Sequence, residues 1–285
     1  MQRTVSYANF IQFVNTYSIW VAIGSFSSYL FFSKLYDVQP NYLIAIGLSL
    51  GVWVIYTLDH LFDGIKLKDN ASTIRHKEHF HKQRKIKWLL ILVTVVLGIL
   101  ALFVTPAYFK FIGTLLMLTC AHFIVNYLVP SKVKELLFLK EAFIAFIVTL
   151  GFAYTPFLEV RDTDSFGDII PYLCFLFFIN FANLILFSLF DKDADRETNT
   201  LSIAEFYSDS TLKIFISVNL MLSLYFAWVL FTHLSLSAIE FSVVLLMLLT
   251  LFIISQFPNY FSQNDRYRFY GDLIYVYPLA VMPFL

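Results

Sequence analysis

Long uncharged apolar runs constrain this chain more than any other feature. Ile169–Phe190 contains no charged residue, and Asn41–Leu58 is a second such run. A helix of about 20 apolar residues crosses a bilayer, since a helix satisfies its own backbone hydrogen bonds in lipid. The chain is 59% hydrophobic and 14% charged, whereas soluble domains average about 25% charged residues. We therefore predict an all-α, polytopic integral membrane protein.

Nine apolar segments divide the chain, and they predict about nine transmembrane helices. Their approximate bounds are 10–34, 41–62, 88–106, 109–129, 136–157, 169–190, 212–232, 236–257 and 269–285. We predict one transmembrane domain over 1–285, with related halves of about 1–130 and 131–285. The longest predicted loops are 64–87, which directly follows the pair Asp59 and Asp63, and 191–211, which begins with the pair Asp191 and Asp195.

The distribution of Lys and Arg predicts the orientation of the helices. With the amino terminus in the cytoplasm, every one of the 20 Lys and Arg residues except Lys34, Lys110 and Arg161 lies on the cytoplasmic side. Positive residues near helix ends are retained on that side. Both aspartate pairs are thus predicted to face the cytoplasm, and in a bacterium the membrane is the inner one. The net charge of zero gives no argument for binding of nucleic acid, and membrane lipids are the predicted surroundings.

Two pairs of aspartates follow the apolar runs at helical spacing. Asp59 and Asp63 are four residues apart, as are Asp191 and Asp195. If each helix continues, both carboxylates of a pair lie on one face. Carboxylates at a membrane surface are costly unless a cation binds them, and Mg²⁺ takes one or two carboxylates together with phosphate oxygens. These four aspartates are therefore predicted to hold two Mg²⁺ ions that clamp a diphosphate.

This arrangement predicts transfer of a prenyl group from an allylic isoprenyl diphosphate. Loss of diphosphate leaves an allylic cation, and aromatic faces near the cytoplasmic helix ends can stabilise it. The apolar chain would lie in a central cavity open to the cytoplasmic side. Asp63 and Asp191 are the predicted catalytic residues. The acceptor, lipid-soluble or aromatic, is not identified by the sequence.

The two motifs resemble those of the UbiA superfamily of intramembrane prenyltransferases, which have nine helices and Asp-rich motifs after helices two and six. The second family motif, DxxxD, matches 191–195, DKDAD. The first, NDxxDxxxD, aligns with 59–67, DHLFDGIKL, where Asp59 replaces Asn, His60 replaces the first Asp and Leu67 replaces the last. By this resemblance, Asp59 and Asp63 are the metal ligands of the first motif.

The resemblance also implies further site residues and one alternative function. A basic residue near the start of helix five is typical of the family, and Lys140 stands there. A Lys-Thr-Leu-like stretch often follows the second motif, and here 199–201 reads NTL, without the Lys. The substitutions at His60 and Leu67 favour the alternative of a non-catalytic relative, either a scaffold or a lipid-binding membrane protein.

Basic residues on the same side as the aspartates are candidates for diphosphate binding. They are Arg75, Lys77, Lys140 and Arg196. Their charge would neutralise the phosphate oxygens that the metal leaves uncompensated. For the basic run that includes Arg75 and Lys77, the alternative is binding of anionic lipid headgroups. For Lys140, the alternative is an ion pair with the adjacent Glu141.

Two asparagines interrupt the apolar run before the second motif. Asn180 and Asn183 precede Asp191 by about three and two helical turns. An amide in hydrocarbon needs a partner, so both residues are predicted either to line a polar cavity or to bond a neighbouring helix.

Overall fold

Helices make up the regular structure of the chain. The computed structural model describes residues 2–128, 140–160, 166–198, 202–233 and 236–282, and it has no strand among them. The helices are α1 Gln2–Thr16, α2 Ile19–Leu35, α3 Tyr42–Leu67, α4 Ile74–His81, α5 Gln83–Ala101, α6 Pro106–Leu128, α7 Lys140–Thr149, α8 Phe166–Thr198, α9 Asp209–His233, α10 Ala238–Gln256, α11 Pro258–Phe261, α12 Arg266–Leu273 and α13 Tyr277–Val281. A π-helical turn, Leu150–Tyr154, continues α7. The predicted start of segment five at 136 and the run 199–201 lie outside the described residues.

The outer surface of the bundle is apolar, as lipid contact requires. Five helices are long and apolar enough to cross a membrane, namely α3, α6, α8, α9 and α10, and α2 is a shorter apolar helix. Leu102, Phe103 and Met221 are at least 70% exposed. Side chains of this kind are stable in contact with acyl chains but not with water. The predicted all-α integral membrane protein is confirmed, while the number of crossings stays a prediction.

Helix α8 is the central element of the bundle. Of its most apolar window, 56% is buried, against 44% or less in the other four long helices. Ile179, Ala182, Ile185 and Leu186 have no exposed surface. Its neighbours include α7, α9 and α12. The last two turns of α8 carry the second aspartate motif, so that motif stands on the most buried of the five long apolar helices.

Helix boundaries differ from the predicted segments at three places. Segment one is two helices, because Ser18 has a φ of 52° and turns the chain between α1 and α2. The predicted loop 64–87 is largely helical, since α3 extends to Leu67 and α4 and α5 follow. The last segment is divided into short helices that include α12 and α13.

Candidate functional site

The two aspartate motifs lie at one end of the bundle and meet through α4. Helices α3 and α8 continue past their apolar runs, so both motifs are helical as predicted. Arg75 Nη2 lies 3.1 Å from Asp191 Oδ1. The next residue, His76, has its Nε2 3.8 Å from Asp63 Oδ2. Consecutive residues of one short helix thus contact both motifs.

Asp191 is buried and receives hydrogen bonds from three residues. Oδ1 accepts from Arg75 Nη2 and from the Tyr267 hydroxyl, and Oδ2 accepts from Arg268 Nη2. Only 9% of the Asp191 side chain is exposed. Two guanidinium charges therefore neutralise this carboxylate, and both of its oxygens are engaged. We call Asp191, Arg75, Tyr267 and Arg268 the arginine cluster.

Aromatic contacts fix α12 against α8 and thereby place two members of the arginine cluster. The Tyr267 ring stacks on Phe190, with centroids 4.5 Å apart and planes 6° from parallel. The Arg268 guanidinium lies 4.9 Å from the centre of the Phe187 ring, within the range of a cation–π contact. Both rings stand on the turn of α8 that precedes Asp191, so packing and charge pairing position α12 together.

A glycine allows this close contact between α12 and α8. A Cβ on Gly271 would lie 2.6 Å from Phe187 Cε1 and 2.8 Å from Asn183 Oδ1. Real Cβ atoms do not approach other heavy atoms so closely. Gly271 is one turn beyond Arg268, and its missing side chain therefore lets Arg268 reach Asp191.

Three buried histidines surround the contact between α3 and α4. The ring of His60 has its centroid 5.9 Å from His76 and 5.3 Å from His79. Burial, together with the charges of Arg75 and Arg268, lowers the pKa of His76 to about 3 from its usual 6.5. His76 is thus neutral near pH 7, and its contact with Asp63 is one between a carboxylate and a neutral ring. His79 Nδ1 lies 2.8 Å from the Arg75 carbonyl oxygen.

The remaining metal and diphosphate candidates range from half-buried to exposed. Asp59 and Asp195 are half-buried, each one turn from its motif partner. Lys140 is half-buried and acts electrostatically on Asp195. Lys77 stands on the exposed face of α4. Arg196 is exposed and pairs with Glu205 at 3.2 Å and with Asp193 at 3.8 Å. Of the four predicted diphosphate residues, the structure brings Arg75 to the Asp191 carboxylate.

The two asparagines of α8 hydrogen-bond neighbouring helices. Asn180 donates to Thr149 Oγ1 at 3.0 Å and accepts from the Tyr275 hydroxyl at 2.6 Å. Asn183 donates to the Gly271 carbonyl at 3.2 Å, and its Oδ1 is buried without a hydrogen-bond partner. Interhelical bonding, one of the two predicted roles, is thus present. Lining of a cavity by these residues stays a prediction.

The described pockets lie away from the aspartates' buried oxygens. One, of about 330 Å³, is lined by Val54, Leu58, Leu90, Ile91, Thr94 and Val95. A second, of about 300 Å³, is lined by Thr250, Ile253, Tyr260, Phe261, Tyr270 and Tyr277. The first is an apolar groove between α3 and α5 that begins one residue before Asp59. The central cavity inferred from the sequence stays a prediction.

Sequence reasoning missed Tyr267 and Arg268. The available signal was the run Arg266-Tyr267-Arg268 just before the last apolar segment, on the same predicted side as both motifs. We interpreted its arginines only as markers of orientation. Their partner Asp191 is more than 70 residues away in the chain, and helical spacing carries no information over that distance.

The residues around Asp191 bond to the oxygens that the predicted Mg²⁺ site would use. Mg²⁺ needs carboxylate oxygens that are available to it, whereas both Asp191 oxygens are bonded to arginine or tyrosine donors. Within the described ranges, no group of three or more His, Cys, Asp or Glu residues is arranged to hold a metal ion. In this arrangement Asp191 does not fit the role of a magnesium ligand.

Comparison with known proteins identifies the fold. No family model matches the sequence, and no curated protein matches it. Among solved structures, the chain is similar to the apo structure of a UbiA homolog from Aeropyrum pernix K1, with a TM-score of 0.67 over 93% of this chain and 98% of that one. This chain has the UbiA fold.

The UbiA fold was predicted from the two aspartate motifs, and this similarity confirms it. Only 11% of the aligned residues are identical. The similarity therefore establishes the UbiA fold of the backbone, and the roles of the individual side chains depend on their own geometry.

Proposed function

We propose that this chain is an intramembrane prenyltransferase that takes its prenyl group from an allylic isoprenyl diphosphate. One observation carries the proposal: within a UbiA fold, Arg75 and His76 join the second motif at Asp191 to the first motif at Asp63. A structural role for either motif alone does not require this convergence. Buried cationic side chains at the point of convergence suit the leaving diphosphate.

In the proposed reaction, the bond between the allylic carbon and the bridging oxygen breaks, and the diphosphate leaves with the electron pair. The acceptor's nucleophilic atom then bonds to the allylic carbon and gives up a proton. Arg75 and Arg268 would neutralise the developing charge on the diphosphate. Phe187, whose ring lies beside the Arg268 guanidinium, and Phe190, whose ring stacks on Tyr267, would be the aromatic groups on α8 that stabilise the cation.

In this proposal, only aspartates other than Asp191 bind magnesium. Asp59 and Asp63 on α3, or Asp195 on α8, would hold an ion together with phosphate oxygens, and the ion would supply further neutralisation of the leaving group. Asp191 is left out of this set because its oxygens are engaged by the arginine cluster.

A second candidate function is supported by the same engagement of Asp191. If Asp191 stays paired with Arg75 and Arg268 at all times, the arginine cluster has a structural role only and holds α4, α8 and α12 together. His60 and Leu67, which stand where the family motif has aspartates, agree with a protein that has lost catalysis. The chain would then be a scaffold or a lipid-binding membrane protein.

The first experiment measures the melting temperature of the purified protein in detergent with geranyl, farnesyl or geranylgeranyl diphosphate. Each donor is tested with Mg²⁺ and with EDTA, and the matching prenyl alcohols are the controls. A ligand that binds only the folded state raises its stability. Release of diphosphate is then followed in liposomes of total membrane lipid. If no allylic diphosphate stabilises the folded protein under either condition, the proposed function is wrong.

A further inference from the structure

The arginine cluster has more hydrogen-bond donors than acceptors. Nε and Nη1 of Arg75 and Nε of Arg268 are buried and have no hydrogen-bond partner. Arg75 as a whole is 5% exposed. Buried N–H groups are almost always paired, since an unpaired one keeps its full desolvation cost. These unpaired donors call for an acceptor-rich ligand.

Phosphate oxygens have the chemistry that these donors need. A guanidinium group presents several N–H groups in a planar fork, which matches phosphate in a bidentate manner. Asp265 Oδ2, at 4.0 Å from Arg75 Nη1, is too far for a hydrogen bond and lies on a side chain that is 43% exposed. Asp272 also acts on Arg268 electrostatically. Neither carboxylate occupies the unpaired donors.

We propose that Arg75 and Arg268 bind the diphosphate of the donor in place of a metal ion at Asp191, with Asp191 as the counter-ion that pairs with both guanidinium groups when no diphosphate is bound. This inference rests on the proposed function and adds how its donor is recognised. Two fixed positive charges stand at the second motif where the resemblance implies a divalent cation. Binding of diphosphate at this motif is then independent of metal.

Asp191→Asn separates this proposal from a metal site, because the two give effects of opposite sign. Loss of a metal ligand abolishes binding of the diphosphate. Loss of a carboxylate that competes for the guanidinium groups leaves diphosphate binding in place and strengthens it. The same variant melts at a lower temperature without ligand, because the buried arginines have lost their counter-charge.

The test measures the affinity of the full-length protein for a non-cleavable farnesyl thiolodiphosphate and for inorganic diphosphate, with EDTA and with Mg²⁺. Variants Arg75→Gln and Arg268→Gln should each bind about tenfold more weakly or worse, because each loses a charge-assisted contact. Arg268→Lys, which keeps the charge without the fork, should be intermediate. The matched control is Arg266→Gln, from the same helix, whose guanidinium lies over Tyr260.

Each outcome decides between the proposals. Binding that persists in EDTA, weakens with both glutamine variants and survives Asp191→Asn supports metal-independent recognition. Binding that requires Mg²⁺ and is lost with Asp191→Asn overturns this inference but leaves the prenyltransferase proposal intact. Failure of folded wild-type protein to bind either diphosphate under both conditions overturns the prenyltransferase proposal itself. Arg268→Lys keeps the test valid if the glutamine variants do not fold.

Discussion

Gly64 lies directly against the backbone of His76. A Cβ on Gly64 would lie 2.6 Å from the His76 carbonyl oxygen and 3.2 Å from the Phe80 backbone nitrogen. Because the atoms in contact belong to backbone, no rotamer change can relieve the overlap. The distance between α3 and α4, and with it the position of Arg75 over Asp191, depends on this missing side chain.

We expect Gly64→Ala to move α4 away from α3 and to disrupt the arginine cluster. The overlap should destabilise the protein by about 1–3 kcal/mol, the usual cost of overpacking. Melting temperature and diphosphate affinity should both fall. Gly51→Ala is the control in the same helix, since a Cβ there meets no heavy atom within 4 Å. There alanine should be neutral or stabilising, and equal losses for the two variants would contradict the prediction.

Asp191→Asn and Arg268→Gln should be less damaging together than the sum of the single changes. The asparagine variant leaves two buried guanidinium groups without their carboxylate, and breaking a buried pair costs about 3–5 kcal/mol. Because Arg268 is 12% exposed, we expect the lower end of that range. Adding Arg268→Gln removes one of the uncompensated charges. A double-mutant cycle on melting in detergent measures the coupling between the two residues. Strictly additive losses in the free energy of unfolding would contradict this prediction.

Acidification should destabilise the protein through His76. In the unfolded state, His76 takes up a proton as the pH falls through 6.5. In the folded state His76 stays neutral over that range, because its pKa there is about 3. The contribution of His76 to the free energy of unfolding is therefore fully present above pH 6.5. Below pH 6.5 it decreases by about 1.4 kcal/mol for each pH unit. Burial also lowers the pKa of His79, which adds to the effect.

The variant His76→Gln should flatten this dependence between pH 6.5 and about 5, above the range in which carboxylates protonate. The matched control is His81→Gln, in the same helix, where the side chain is 58% exposed. Melting curves across that pH range are the measurement. A slope unchanged by His76→Gln would show that another group carries the dependence.

Glu141 should anchor the chain that follows the second motif. Its Oε1 accepts hydrogen bonds from Ser188 Oγ and from the Ile203 backbone nitrogen, both at 2.9 Å. In Glu141→Ala these buried donors lose their acceptor, so amide exchange in 202–205 should accelerate. Asp193→Ala, at a side chain that is 96% exposed, is the control. Unchanged exchange in the Glu141 variant would show that other contacts hold this segment.

Local spacing and composition were enough to predict the helical class and the helical continuation of both motifs, and the resemblance of the two motifs to those of the UbiA superfamily predicted the fold. No proline or glycine interrupts 186–198, so the helix carries Asp191 and Asp195 on one face. The charges of 64–87 misled us into predicting a loop there. That stretch forms helices because α4 packs its buried Arg75, His76 and His79 inward, and such burial of charge depends on distant partners.

The arginine cluster was beyond sequence reasoning for the same reason. Whether an aspartate binds a cation or a guanidinium is decided by what the tertiary fold brings to it. Arg268 reaches Asp191 only because α12 packs on α8 at Gly271, and no local pattern predicts that contact.

The contacts of α4 cross the boundary between the two predicted halves. Arg75 belongs to the first half by position, yet its carboxylate partner belongs to the second. If 1–130 and 131–285 are expressed as separate fragments, neither has a complete site, and only their reassembly restores one. The two predicted halves form this ion pair jointly, so a substitution at either end of it changes the environment of a charged group in the other half.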